Sequence, residues 1–168
     1  MAGLDEVEHS RRRAGAVAAA PWAPSVEGER ALKAVELYGN PAVGEVCLPS
    51  RPESAATARR LAQSVMLRQW GLSALMSEHV VLLVSELVGN AVRHTGARTF
   101  GLRMLRGRGR VRIEVRDPSR GLPCLLPVQE LDESGRGLML VDKLSDRWGV
   151  DLLPYGKTTW FEMRTAER

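Results

Sequence analysis

Four polar residues near the middle of the chain share one side of a predicted helix. Glu86, Asn90 and His94 are spaced four residues apart, and Arg93 stands beside them. Residues four apart lie on the same helix face. Apolar residues of the same segment form an adjoining stripe that must be buried: Val80, Leu83, Val84, Leu87, Val88 and Ala91. Because buried polar groups need partners, the polar stripe predicts a polar ligand, and magnesium-bound phosphate would suit it.

Two further motifs follow along the chain. Residues 117–121, Asp-Pro-Ser-Arg-Gly, come directly after an alternating strand, and Gly135-Arg136-Gly137-Leu138 opens a predicted helix. The first N–H groups of such a helix can hold phosphate oxygens. Arg136, between the two glycines, either contacts phosphate or faces water. Each motif also has an ordinary structural alternative, since Asp-Pro often begins a turn and paired glycines can form a hinge before a helix.

The three motifs, in this order, resemble the N, G1 and G2 boxes of the gyrase B and histidine-kinase-type ATPase superfamily. Within it, the segments SELVGNAVRHT, RDPSRGLP and GRGLMLV are similar to the small anti-sigma-factor serine kinases of Gram-positive bacteria. The resemblance covers residues 43–164, and each motif is weak alone but specific in combination. It implies a Bergerat-type ATP-binding fold with ATP and Mg²⁺ as cofactors.

The resemblance also implies roles for the polar stripe. Asn90 would bind Mg²⁺ through its side-chain oxygen, or else it caps a neighbouring loop. Glu86 would be the catalytic base that accepts a proton from the attacking hydroxyl or water, or else it only orients metal-bound water. Arg93 would neutralise phosphate charge with its guanidinium. His94 either lies beside the phosphates or serves as a structural hydrogen-bond partner.

The remaining implied contacts lie around adenine. Asp117 would accept a hydrogen bond from the adenine amino group, which selects ATP over GTP. Gly121 would let the backbone pass close to the base. The superfamily pattern has a further glycine where Ser119 stands in this chain. Thr158 matches the position of a hydroxyl near adenine, with the adjacent Thr159 as the alternative.

Hydrophobic periodicity predicts an α/β (α+β) two-layer sandwich with helices on one face of the sheet, and the resemblance implies that this sheet is mixed and mostly antiparallel. Strand 110–116 alternates apolar and charged residues, so its outward face should be solvent-exposed and strongly basic. Ser50 and Glu53 match a capping box at the start of a helix that ends near residue 70. The predicted helices span 50–70, 77–94 and 135–144, and the predicted strands span 43–48, 99–105, 110–116, 147–153 and 158–163.

Domain organisation follows from the distribution of these patterns. Residues 1–40 are rich in Ala, Gly and Pro and predict a weakly structured N-terminal tail, with at most a short helix over 31–37. Residues 41–168 form the predicted ATPase domain. Within it, residues 118–134 carry three prolines and no period, which predicts a mobile loop.

Composition excludes several function classes. The net charge of +4 is modest and aromatic residues make up 5% of the chain, so we do not expect nucleic-acid binding. We find no apolar run of about 18 residues and no signal peptide, so no membrane association is expected. Cys47 and Cys124 are too far apart for a metal or redox motif, which indicates reduced thiols in the cytoplasm.

These features together predict an ATP-binding regulatory protein. The resemblance implies an anti-sigma factor with protein serine/threonine kinase activity, whose partners are a sigma factor and an anti-sigma antagonist protein that it phosphorylates. Homodimers are common among such proteins. The alternative is a non-catalytic switch, in which ATP binding changes the affinity for a protein partner without phosphoryl transfer.

Overall fold

The computed structural model describes residues 25–94, 96–118 and 133–165, with side chains from 138 onward in the last range. Four α-helices, one π-helical segment and five strands make up this part of the chain. In sequence order they are α1 Val26–Tyr38, β1 Val46–Pro49, α2 Glu53–Gln63, the π-helical segment Ser64–Gln69, α3 Ala74–His94, β2 Thr99–Gly107, β3 Arg110–Asp117, α4 Glu133–Leu144, β4 Arg147–Leu153 and β5 Gly156–Arg164.

The five strands form one sheet in the order β1-β2-β3-β5-β4. All four pairings are antiparallel. The predicted two-layer α+β architecture is therefore confirmed, although the sheet of the described residues is purely antiparallel where a mixed sheet was expected. The strands that carry Asp117 and Thr159 are neighbours, so distant parts of the sequence meet at one end of the sheet.

One face of the sheet packs against the helices. β3 alternates as predicted: Val111, Ile113 and Val115 are buried, and the residues between them are half-buried. Large fully buried side chains from both layers complete the core: Leu48, Leu61, Met66, Leu83, Phe100, Leu102, Met104 and Phe161. We call this side of the sheet the helix face and the opposite side the outer face.

Helix α3 lies at the centre of the helical layer and contacts α2, α4 and β3. It begins at Ala74, three residues before the predicted start at Ser77, because the Ser73 hydroxyl accepts a hydrogen bond from the Met76 N–H at 3.2 Å. By length and hydropathy alone α3 could cross a membrane, and it is the one such helix among the described residues. Its apolar stripe instead faces the protein core.

Two N-terminal predictions differ from the structure. Residues 26–38, which the sequence assigned to a weakly structured tail with at most a short helix over 31–37, form the longer helix α1, and Ala31 and Ala34 are buried where this helix packs on α2. Residues 1–24 lie outside the described part. The predicted capping box is wrong, because α2 begins at Glu53 without a side-chain cap and the Ser50 hydroxyl is buried without a hydrogen-bond partner in the described residues.

The outer face is less basic than its sequence predicted. Arg112 donates hydrogen bonds to Glu114 at 2.7 Å and to Glu162 at 3.2 Å. Arg116 donates to Glu45, and this hydrogen bond lowers the pKa of the Glu45 carboxyl. Glu45, the residue before β1, and Glu162 near the end of β5 therefore neutralise part of the charge, which the alternation of β3 alone could not indicate.

Candidate functional site

The polar stripe lies at the border between the buried and exposed sides of α3. Leu87, Val88 and Ala91 are buried and fix the rotation of the helix about its axis. Asn90 lies one helical turn after Glu86, and both side chains are half-buried. The apolar stripe thus places a carboxylate and an amide at the edge of the core. There both groups can contact a ligand while they remain partly hydrated.

Asn90 carries the most informative atom of the site. Its side-chain oxygen Oδ1 is buried and has no hydrogen-bond partner in the part of the chain that the structure describes. A buried polar atom without a partner costs about 1–3 kcal/mol, so such atoms are rare unless they have another function. The predicted alternative, in which Asn90 caps a neighbouring loop, would give this oxygen a partner. The orphaned oxygen therefore favours a partner outside the described residues, such as a bound ligand.

The exposed Arg93 side chain lies along its own helix. Its Nε donates to the Gly89 carbonyl at 3.2 Å. A Cβ atom at position 89 would lie 3.1 Å from the Arg93 guanidinium, so the glycine provides the space for this conformation. Gly89 costs helix stability of about 1 kcal/mol relative to alanine, and its contact with Arg93 gives a reason for its presence. His94, the last residue of α3, is exposed.

Asp117 ends strand β3 and is almost fully buried, with 4% of its surface exposed. Its partner in the β3–β5 register is Lys157, next to Gly156 at the start of β5. A Cβ atom at Gly156 would lie 2.1 Å from the Asp117 carbonyl oxygen. The close approach of these two backbones fixes the position at which the Asp117 side chain leaves the sheet.

Of the two adjacent threonines, Thr159 lies on the same face as Asp117. In the register, Thr158 pairs with Arg116 on the outer face, whereas Thr159 pairs with Val115 on the helix face. Thr158 is the more buried of the two, and the adenine contact remains a prediction for Thr158 or Thr159. Counting back by two from the core residue Phe161 already places Thr159 on the helix face, because alternate strand residues share a face.

The glycine-rich motif lies inside α4 rather than before it. This helix begins at Glu133, so Gly135, Arg136 and Gly137 belong to its first turns, which differs from the predicted start at 135. Leu138 is half-buried, and α4 packs against α3. Phosphate contacts from the motif remain a prediction. Gly121 and the predicted loop over 118–134 lie outside the described residues, apart from Pro118 and the beginning of α4.

The available side chains limit how a metal could be held. Among the described residues, no group of three or more His, Cys, Asp and Glu side chains could bind a metal ion. Asn90 Oδ1 is an oxygen donor of the kind that Mg²⁺ prefers, and Mg²⁺ commonly takes its other ligands from substrate phosphates and water. Asn90 therefore fits Mg²⁺ as one ligand of a metal–phosphate complex, and the described residues do not complete a metal site around it.

Two depressions among the described residues lie away from these side chains. A depression of about 490 Å³ opens on the outer face near the β2–β3 turn. Another of about 290 Å³ lies beside α2 and the first half of α3. Neither is lined by Glu86, Asn90 or Asp117. The candidate site is therefore defined by the orphaned oxygen and by its position in the fold.

Comparison with known proteins gives the family. The family model described as histidine kinase-like ATPase domain matches residues 48–163, which include α3, Asp117, α4 and the whole sheet except two residues of β1 and the last residue of β5. An uncharacterized protein of Streptomyces coelicolor is 49% identical over 45 residues. That match covers 26% of this chain and 43% of the relative, so the two proteins share less than half of the relative's length.

Two solved structures have a similar arrangement. The histidine kinase domain of the EL346 blue-light activated histidine kinase from Erythrobacter litoralis is 21% identical, with a TM-score of 0.47 over 83% of this chain and 75% of that domain. A longer form of the same kinase is 17% identical, with a TM-score of 0.47 over 83% of this chain and 48% of that one. At these values the family model, and not the structural similarity, carries the assignment.

Proposed function

Because the chain belongs to the histidine kinase-like ATPase domain family, whose fold serves ATP-dependent kinase and ATPase activity, we propose that it is an ATP-binding anti-sigma factor that phosphorylates an antagonist protein on serine or threonine. The observation that supports this proposal most directly is the orphaned Asn90 oxygen, one helical turn from Glu86. An amide oxygen and a carboxylate at that spacing suit a metal-bound triphosphate and the hydroxyl that attacks it.

In this proposal each described residue acts through its own chemistry. Asn90 holds Mg²⁺ through Oδ1, and Glu86 accepts the proton of the attacking hydroxyl. Arg93 leaves the Gly89 carbonyl and places its guanidinium against phosphate oxygens. Asp117 and Thr159 select the base from one end of the helix face. ATP, when bound, supplies the γ-phosphoryl group, and the protein contributes mainly positioning and charge neutralisation.

The partners are proposed from the resemblance of the motifs. A sigma factor would be held in one nucleotide state and released when the antagonist binds, and the protein would act in the cytosol, where transcription takes place. The second candidate is a non-catalytic switch, in which ATP binding alone changes partner affinity. It is favoured by the same Asn90 site if Glu86 orients water without accepting a proton, and phosphorylation of the antagonist distinguishes the two.

Replacing Asn90 with alanine should weaken ATP binding in the presence of Mg²⁺ by roughly tenfold to a hundredfold, the equivalent of one lost charge-assisted contact. Without Mg²⁺ the affinity should change little, because the side chain acts through the metal. Isothermal titration calorimetry with and without Mg²⁺ measures both values.

Stability gives an independent check of the same variant. Removal of an oxygen that has no partner should leave the free energy of unfolding unchanged or raise it slightly in the absence of nucleotide. A clear loss of stability, with unchanged ATP affinity, would mean that Asn90 is a structural residue and would contradict the proposal.

Replacing Asp117 with asparagine should reduce the preference for ATP over GTP. The carboxylate accepts a hydrogen bond from the adenine amino group, whereas an amide can also donate one to the guanine carbonyl oxygen. We expect ATP affinity to fall by about tenfold or more, since a site built around one hydrogen bond discriminates strongly. Competition titrations of ATP against GTP test this, with Asp151→Asn on the exposed part of β4 as the matched control.

A further inference from the structure

A second charged site lies on the outer face, around Glu162 near the turn between β2 and β3. Arg108, Arg110, Arg112 and Arg147 line the 490 Å³ depression together with this single glutamate. We call these five residues the arginine cluster. Arg106 also lines the depression but donates to the Trp70 carbonyl at 2.9 Å and is not part of the cluster. The site is separate from the nucleotide site and does not depend on the proposed function.

One carboxylate serves three guanidinium groups in this cluster. Glu162 lies 3.2 Å from Arg112, 3.6 Å from Arg110 and 3.8 Å from Arg147. Arg112 also uses Glu114 and Asp151, so its charge is matched. Among the described residues no carboxylate lies within salt-bridge distance of Arg108, at the tip of the turn. The positive charges of Arg108, Arg110 and Arg147 are therefore largely unneutralised by neighbouring carboxylates. Their guanidinium groups also keep several N–H donors without an acceptor among these carboxylates.

The strand register adds to this excess of positive charge. Arg110 on β3 lies directly opposite Arg164 on β5, so two like charges are cross-strand neighbours on the outer face. Like charges in this position destabilise a sheet. Arg108 adds a further constraint, because it adopts φ 45° in the two-residue turn with Gly109. Because this tight turn joins β2 to β3, the charge of Arg108 lies close to the charges of the other arginines that line the depression.

The chemistry of the cluster fits carboxylates better than nucleic acid. Guanidinium forks bind carboxylates in a bidentate manner, and Glu162 is itself a carboxylate held there. Binding of single-stranded nucleic acid commonly needs exposed aromatic rings for stacking. Trp160, on the same face, is covered by Arg112 at 4.0 Å from the ring centroid and approached by Gly149 from β4.

We propose that the arginine cluster is a docking site for an acidic segment of a protein partner. The carboxylates of that segment pair with Arg108, Arg110 and Arg147 around the edge of the depression, where Glu162 alone leaves the charge unbalanced. Rim charges of this kind chiefly set association rate and partner choice. The outer face thus gives the domain a protein-binding surface opposite the helices.

Fluorescence anisotropy of a short labelled peptide of alternating glutamate and serine tests this proposal on the full-length protein at low salt. Arg147→Ala should weaken binding about threefold to fivefold, and the double variant Arg108→Ala/Arg147→Ala about tenfold. Arg30→Ala is the matched control, because Arg30 on α1 is similarly exposed and also pairs with one glutamate. It should leave peptide affinity within about twofold.

A second variant reverses the sign of the effect. Glu162→Gln removes the competing carboxylate while keeping a side chain of the same shape, so peptide binding should tighten severalfold. Circular dichroism establishes that each variant is folded. Absence of peptide binding by the wild type, an equal loss with Arg30→Ala, or weaker binding by Glu162→Gln overturns the proposal. Tighter binding of a single-stranded oligonucleotide of equal charge through the same arginines overturns the choice of a protein partner.

Discussion

Replacing Glu86 with glutamine should reduce phosphoryl transfer to a protein substrate by about a hundredfold to ten-thousandfold, the usual contribution of a general base. ATP affinity should stay within about twofold, because the variant keeps the size and the hydrogen-bonding oxygen of the side chain. Incubation with labelled ATP and the antagonist protein, followed by identification of phosphoserine or phosphothreonine, measures the rate. Calorimetry measures the affinity.

Glu78→Gln is the matched control for this variant. Glu78 lies two turns earlier on α3 and is exposed, so its replacement makes the same chemical change on the same helix away from the site. We expect wild-type activity from it. If Glu86→Gln transfers phosphate at the wild-type rate, Glu86 is not the base. If the wild type binds ATP and its partner but labels nothing, the non-catalytic switch is the correct function.

Replacing Gly156 with alanine should lower the free energy of unfolding by about 3 kcal/mol or more, at the upper end of single substitutions. The new Cβ would lie 2.1 Å from the Asp117 carbonyl oxygen and 3.0 Å from the Pro118 Cα, and neither backbone atom can turn aside. The glycine also has φ 138°, a conformation that other residues rarely adopt. Relief of the clash requires β5 to separate from the end of β3. Urea unfolding monitored by circular dichroism gives the free energy.

Substitutions at two other glycines separate the conformational cost of a positive φ from the cost of the steric clash. Gly71 has φ 60° but open space around its Cβ position, so Gly71→Ala measures the conformational cost alone, expected near 1 kcal/mol. Gly44 has open space and no such φ, and Gly44→Ala should change stability by less than about 0.5 kcal/mol. Because Gly156 packs on Asp117, its variant should also weaken ATP binding. Equal stabilities of the Gly71 and Gly156 variants would contradict the proposed clash.

Much of the fold could be predicted because it depends on short-range patterns. The apolar stripe of α3 and the alternation of β3 each involve positions close together in sequence, and the structure has both of them. The order of the three motifs was enough to predict the family that the family model identifies. The rotation of α3 then follows, because burial of Leu87 and Ala91 determines where Glu86 and Asn90 point.

Helix ends were predicted less well than helix interiors. The Ser50 capping box satisfied the sequence pattern, yet the chain between β1 and α2 buries that hydroxyl instead of using it. Likewise α1 is an amphipathic helix with small residues on its buried side, and its stability depends on packing against α2. Isolated short helices are marginal in water, so the weak local pattern indicated only a short helix over 31–37 and not the full length that tertiary contacts stabilise.

The sequence by itself determined the family and the interiors of most strands and helices, and it predicted the residues that would bind a metal–nucleotide complex. Tertiary structure decided which of two adjacent threonines faces Asp117, why position 156 must be glycine, and how far carboxylates neutralise the outer face. The reason is that helix and strand periods depend on neighbouring residues, whereas cross-strand register joins residues that are far apart in the chain. A shift of one residue in that register would turn every side chain of β5 to the opposite face.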